Sequence, residues 1–241
     1  MQHKPDPTAN RFLKALPQDI RQQWLEQGRV LTLQRGDIVS ATSSDASFVF
    51  CPLNAVLAWV SWLRDGASGA IALIGREGMV CLKDLQGQGH QLVVLHAGQV
   101  LKLPASLVES SERLSPVVRK LRTDNLQALI SQASQTALCN QHHSLQQRLM
   151  RLLECIFERM GSESLRITQS QLADLLGTRR ERVSHAAAAL EDMGLIQRTR
   201  GQIRITDLCR LHPGQCDCCV SMRLPRGYFT PEPSDCGSRS A

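Results

Sequence analysis

From about Val30 to Leu103 the apolar residues tend to recur every second position, and from Leu114 onward they recur at about 3.6 residues. The first period marks strands and the second marks helices. Three β-rich runs, VLTLQRGDIV, SFVFCPLNAVLAWVSWLRDGASGAIALIG and HQLVVLHAGQVLKL, are punctuated by Gly, Asp and Ser at the spacing of a sandwich or barrel. Asp65-Gly66 predicts a hairpin turn. In the strand around it, Leu57, Trp59 and Ser61 alternate with Ala58, Val60 and Trp62, so both faces carry apolar groups and burial on both sides is expected. Before the strands, Phe12, Leu13, Leu16, Ile20 and Trp24 form a short helical pattern interrupted or restarted at Pro17.

The pattern predicts a long helix beginning at Leu114. Val118, Leu121, Leu129 and Ala133 continue its stripe, with Leu126, Ile130 and Ala137 beside it. A stripe of this length suits pairing with a second copy of the same helix. The alternative is packing against the chain's own β-domain, and Asn125 interrupts the heptad. A further amphipathic face, Leu145, Leu149, Leu152, Leu153, Ile156, Phe157 and Met160, follows Ser144, with Gln147 placed for a capping box.

The segment ITQSQLADLLGTRRERVSHAAAALEDMGLI, Ile167 to Ile196, carries the most specific signal. Thr168 with Gln171 and Thr178 with Glu181 each have capping-box spacing. Gly177 between them suits the left-handed end of a helix, because it has no Cβ to clash there. Leu172, Leu175 and Leu176 on one helix then face Val183, Ala186, Ala187 and Leu190 on the next, which makes a helix-turn-helix. Its second helix opens with Arg179, Arg180 and Glu181, followed by Ser184 and His185. Arginine suits guanine O6 and N7, glutamate accepts from cytosine N4, and recognition helices read bases with their first turns. Thr168, Gln169, Ser170 and Thr178 stand where helix starts meet phosphates. After Gly194, LIQRTRGQIRI predicts a two-stranded wing on which Arg198 and Arg200 are placed for phosphates.

Composition agrees without adding much. The net charge is +6 over 241 residues, but Thr178 to Arg204 alone holds six arginines against Glu181, Glu191 and Asp192. Such a local excess favours a polyanionic partner. The longest apolar stretch, AVLAWVSWL, is about half the roughly 20 residues a membrane span needs. The start MQHKPDPTANR has no apolar core of a signal peptide, and the nine cysteines are unevenly spaced. A cytoplasmic protein with reduced thiols is the expectation, with no membrane partner. Cys209, His212, Cys216, Cys218 and Cys219 are the candidate metal or redox residues. They supply one half of a zinc site without its second pair, so no metal is assigned. Cys139, His142 and His143 read as structural groups at a helix joint. The tail beyond Gly214, rich in Pro, Ser and Gly, reads as flexible.

The order of β-roll, long helix and winged helix-turn-helix resembles the Crp/Fnr family of bacterial transcription regulators over about residues 12 to 210. IGREGMV and LCNQHHSLQQRLMRLL are a second match, to a branch whose effector is poorly defined. The resemblance implies an α+β fold: a cyclic-nucleotide-binding-like β-roll (12–113), a dimerisation helix (114–138), a winged helix-turn-helix domain (139–210) and a cysteine-containing tail (211–241). It also implies a homodimer on pseudo-palindromic double-stranded DNA, with RNA polymerase as a partner. The matching recognition positions are Arg180, Glu181 and either Ser184 or His185. Two departures bear on cofactors. GQGHQLVVL has His90 and Gln91 where cyclic-nucleotide binders carry an arginine-serine pair, and the first cysteine is Cys51, too late for an N-terminal iron-sulfur cluster. Neither cyclic AMP nor such a cluster is expected, and no other cofactor is identified.

Three functions fit these features: a DNA-binding regulator gated through the β-roll, a ligand-binding module that docks protein, and a metal or thiol redox protein. No serine-histidine-carboxylate grouping, phosphate loop or catalytic carboxylate pair stands out, so a non-enzyme is expected.

Overall fold

The computed structural model describes residues 6–40, 47–85 and 89–206. The cysteine-containing tail read at 211–241, and with it Cys209, His212, Cys216, Cys218 and Cys219, lies outside the described residues. Two short helices, α1 (Arg11–Ala15) and α2 (Gln18–Gln27), precede eight strands. Pro17 stands at the start of α2, where its missing amide is harmless.

The strands form two antiparallel sheets. One has the order β1 (Arg29–Leu33), β8 (Gly98–Pro104), β3 (Phe48–Pro52), β6 (Val80–Cys81). The other runs β2 (Ile38–Ser40), β7 (His90–His96), β4 (Val56–Trp62), β5 (Ser68–Ile74). Phe50, Val80 and Val100 of the first sheet meet Leu57, Ile74 and Leu92 of the second in one buried cluster. His90 stands where the β7 segment departs from cyclic-nucleotide binders, and its Nδ1 accepts from Trp59 Nε1 at 3.2 Å.

Each sheet also buries its outer face. Cys51, Leu101 and Leu103 of the first sheet pack with Phe12, Leu13 and Trp24 of α1 and α2. Ala58, Val60 and Leu73 of the second sheet pack with the C-terminal domain. The double-sided apolar pattern of β4 thus has a simple cause: Leu57 faces the roll's interior, and Ala58 and Val60 face the next domain. The β4–β5 hairpin turns at Asp65-Gly66 as expected, with Gly66 at φ 86°.

After β8 the chain makes two helices in place of the single helix expected from Leu114. Leu114 closes α3 (Ala105–Leu114), and α4 spans Pro116–His142. Ser115 explains the break, because its hydroxyl accepts from Val118 N and Pro116 takes the first helical position. The stripe expected to pair with a second copy also divides. Val118, Leu121 and Leu129 are buried in the chain's own β-roll, so these three are corrected from interface to core. Asn125 belongs to that inward face: its Oδ1 accepts from Met79 N at 3.0 Å, and its Nδ2 donates to Met79 O at 2.9 Å. Ile130 is 65% exposed, Ala137 is exposed, and Leu126 and Ala133 are half-buried on the adjoining outward face.

The C-terminal domain comprises α5 (Leu145–Met160), β9 (Ser164–Arg166), α6 (Gln169–Leu176), α7 (Arg180–Asp192), β10 (Ile196–Thr199) and β11 (Gln202–Ile205). The Ser144–Gln147 capping box opens α5 as expected. Strand β9 falls in the stretch between Glu163 and Ile167, which sequence pattern left unassigned. Arg159 of α5 reaches back to the β-roll, where its Nε lies 2.6 Å from Glu77 Oε1 in a buried ion pair. Burial opposes the Arg159 charge, but Glu77 outweighs it and holds the guanidinium above its usual pKa. Among the described residues no helix is long and apolar enough to cross a membrane.

Replacing Asn125 by leucine leaves Met79 N–H and C=O buried without their partners. At about 1–3 kcal/mol for each of the two lost partners, urea unfolding of Asn125→Leu is expected to show a loss of roughly 2–6 kcal/mol. A loss under about 0.5 kcal/mol, the range of a neutral surface change, would refute this role for the amide.

Candidate nucleic-acid interface

The start of α6 is built as its sequence predicts. Thr168 Oγ1 accepts from Gln171 N at 3.1 Å, and Gln171 Oε1 accepts from Thr168 N at 3.0 Å. Gly177 ends the helix at φ 61°. A methyl group there would also lie 2.9 Å from the carbonyl oxygen of Ser68, so glycine answers both a backbone and a packing demand.

The second capping box does not form. The N-cap of α7 is Arg179 and carries no side-chain cap bond. Thr178 instead donates its amide to Ala173 O at 3.1 Å, which spends it on closing α6. The turn is therefore one residue longer than the Thr178–Glu181 spacing suggests.

Helix α7 buries Val183, Ala186, Ala187 and Leu190. Its first turn leaves Arg179, Arg180, Glu181 and Arg182 exposed, and His185 is exposed one turn on. Ser184 differs from these, being half-buried with its hydroxyl 3.4 Å from Gln169 Nε2 of α6. That contact links the two helices at the level of the base-reading candidates.

The wing is a tight antiparallel pair with Thr199 opposite Gln202 and Gly201 at φ 74°. Ile167 N donates to Gly201 O at 3.0 Å, which fixes the wing tip beside the start of α6. Between them lies a groove of about 620 Å³. Thr168, Gln169, Ser170, Arg180, Arg198 and Arg200 all line it. The residues assigned to phosphates are thus brought together with one of the base-reading arginines, while Thr178 sits in the turn outside this lining.

Arg198 is tied down within the domain. Its Nε donates to Glu191 Oε2 at 2.8 Å, its backbone N to Glu191 Oε1 at 2.7 Å, and its Nη1 to Ser184 O at 3.3 Å. The amide of Arg198 and then its side chain hold the Glu191 carboxyl below its usual pKa. Arg198 thus staples the wing to α7. In the sequence Glu191 shows only as local charge, because a partner across a helix end and a turn has no periodic signature. Arg200, at the exposed tip, has no such tie among the described residues.

The described cysteines, Cys51, Cys81, Cys139 and Cys155, are free thiols, and burial pushes the Cys51 thiol far up. Cys139 is buried at the end of α4 while His142 ends that helix, and no metal-binding group of three or more His, Cys, Asp or Glu occurs among the described residues.

A helix-turn-helix with a three-stranded wing, set under a β-roll and a long helix, defines a class that comparison makes specific. Residues 147–213 match the family model of the Crp-like helix-turn-helix domain. The fold is that of Crp/Fnr regulators. A protein of Eubacterium rectale assigned to that family superposes with a TM-score of 0.68 at 16% identity, over 86% of this chain and 99% of that one. FixK2 of Bradyrhizobium japonicum gives 0.65 at 17% identity, over 78% and 98%. The c-di-GMP-responsive global regulator CLP of Xanthomonas campestris gives 0.64 at 13% identity, over 79% and 100%. No sequence among the curated proteins matches the chain.

The two threonines make a discriminating pair. Thr168→Ala is expected to lower stability by about 1 kcal/mol, the usual value of an N-cap, and Thr178→Ala by less than half of that. Chemical denaturation showing the reverse order would restore Thr178 as the cap.

Proposed function

We propose that this protein is a sequence-specific DNA-binding transcription regulator that acts as a homodimer. The observation carrying this reading is the exposed first turn of α7 beside the groove, with Arg179, Arg180, Glu181 and His185 free of the domain's core. Arg180 and Glu181 read bases. Ser184, held near Gln169, supports the helix as well as offering its hydroxyl. Thr168, Gln169, Ser170 and Arg200 meet phosphates along the groove, and the first amides of α6 add donors there. Arg198 contributes charge from its place beside Glu191.

Two-fold binding rests on the outward face of α4. Leu126, Ile130, Ala133 and Ala137 pair with their copies in a second chain, which aligns two α7 helices on successive turns of the major groove. Gating through the β-roll has a physical route, since α6 lies directly on the second sheet. Ser68 Oγ donates to Asp174 O at 3.0 Å, and Arg35 Nη1 donates to Gln171 Oε1 at 3.1 Å. A shift of that sheet is transmitted to the reading helices without an intervening linker. RNA polymerase is the partner such a regulator addresses.

Footprinting is expected to show a protected pseudo-palindrome with half-sites about 34–36 Å apart. Arg180→Ala or Glu181→Ala should cost about 1–3 kcal/mol at one base position and relax specificity there. Arg200→Ala should weaken binding on all sequences alike and lower the salt slope by about 1. Equal losses on every sequence for Arg180→Ala and Glu181→Ala would remove their reading role. Separately, Ile130→Glu is expected to give a folded monomer in sedimentation, and a dimer unchanged by this substitution would move the interface elsewhere.

A further inference from the structure

A second cleft, largely apolar but entered by two arginines, lies away from the helix-turn-helix groove, where the β-roll, the long helix and the C-terminal domain meet. Its floor is β5, the edge strand of the second sheet, whose outer hydrogen-bonding groups are met by α4. Leu73 N donates to Gln132 Oε1 at 3.1 Å, and the Thr136 hydroxyl, which donates to Gln132 O at 2.8 Å, also lies 3.4 Å from Ile71 O. Arg148 and Arg151, three residues apart on α5, enter from the other side. They lie on one face of that helix by its period.

Both guanidiniums are anchored from behind. Arg151 Nη2 donates to Thr136 Oγ1 at 3.2 Å, and Arg148 Nη2 donates to Leu176 O at the end of α6. No Asp or Glu occurs among the described residues lining the cleft, and Arg148 makes no carboxylate pair among the described residues. Burial, followed by the nearby charge of Arg182, lowers the Arg148 pKa. Ala70, Leu152 and Leu175 supply an apolar wall. The cleft measures about 50 Å³. That is several times the roughly 10–15 Å³ needed for one water, and is of head-group size.

We propose that this junction cleft binds a small organic oxyanion, its phosphate or carboxylate head held by Arg148 and Arg151 and its apolar part against Ala70 and Leu152. Guanidinium forks suit such heads because they offer parallel charge-assisted donors. The walls come from three parts of the molecule, so an occupant clamps β5, α4 and α5 together. This site is independent of the DNA groove and of any effector inside the β-roll.

Calorimetric titration of the full chain without DNA, using phenyl phosphate in one arm and benzoate in the other at constant ionic strength, tests it. Saturable binding at one site per chain is expected in at least one arm, and the stronger arm identifies the head group. Arg148→Gln and Arg151→Gln should each weaken that binding about tenfold, the loss of one charge-assisted hydrogen bond. Arg180→Ala and Arg200→Ala should leave it unchanged, which separates the cleft from the DNA phosphate sites. Ala70→Phe keeps both arginines and obstructs the apolar wall, so it should weaken binding even if an arginine variant fails to fold. No saturable binding of either compound to the wild-type chain, undiminished binding in folded Arg148→Gln and Arg151→Gln, or loss of binding in Arg180→Ala would overturn the proposal.

Discussion

The fold depends on how the polar groups of one short loop, Gly75 to Met79, are satisfied away from water. A buried backbone group without a partner costs about as much as a lost hydrogen bond, and this loop draws its partners from three directions. Arg11 N donates to Arg76 O, and Asn10 Nδ2 donates to Gly78 O at 2.8 Å, which fixes the N-terminal helices. Asn125 takes both polar groups of Met79 and so fixes α4. Glu77 accepts from Gly75 N and pairs with Arg159, which fixes α5 and the domain it begins. The loop must stay thin to allow this. A Cβ on Gly78 would lie 2.5 Å from Asn125 Oδ1, and one on Gly75 would lie 2.7 Å from Glu77 Oε2.

That arrangement ties the β-roll to the helix-turn-helix domain through buried contacts. The second sheet buries both faces, one against its partner sheet and one against α5 and α6. The helix-turn-helix therefore rests directly on the outer face of that sheet. A buried ion pair such as Glu77–Arg159 is weak support for stability, because desolvation opposes the attraction. It does fix geometry, since α5 can leave the roll only by exposing or orphaning both charges.

Much of the helix-turn-helix is legible in the sequence. Thr168, Gln171, Gly177 and the two apolar faces depend on residues within a few positions of each other, so their pattern survives in one dimension. The same local logic erred at Thr178, where closing α6 competes with capping α7 for one residue and the former prevails. Arg198 shows the other limit. Its type and place suggested a phosphate ligand, and only the turn of the chain after Gly194 brings Glu191 beside it. On α4, spacing alone grouped Val118, Leu121 and Leu129 with Ile130, although tertiary contacts divide them between core and surface.

Taken alone, the sequence determined the periods, caps, turns and charges: strands, then helices, then two short helices with an arginine-rich start and a wing. These follow from steric and hydrogen-bonding preferences that act between near neighbours. Only the tertiary structure decided which of several apolar stripes meets which surface, that Asn125 serves the core instead of marking a flaw in a heptad, and that Arg148 and Arg151 share a cleft with β5. Such pairings join groups far apart along the chain. Their free energy depends on shape and on which polar groups lose water together, and neither quantity is written in local spacing.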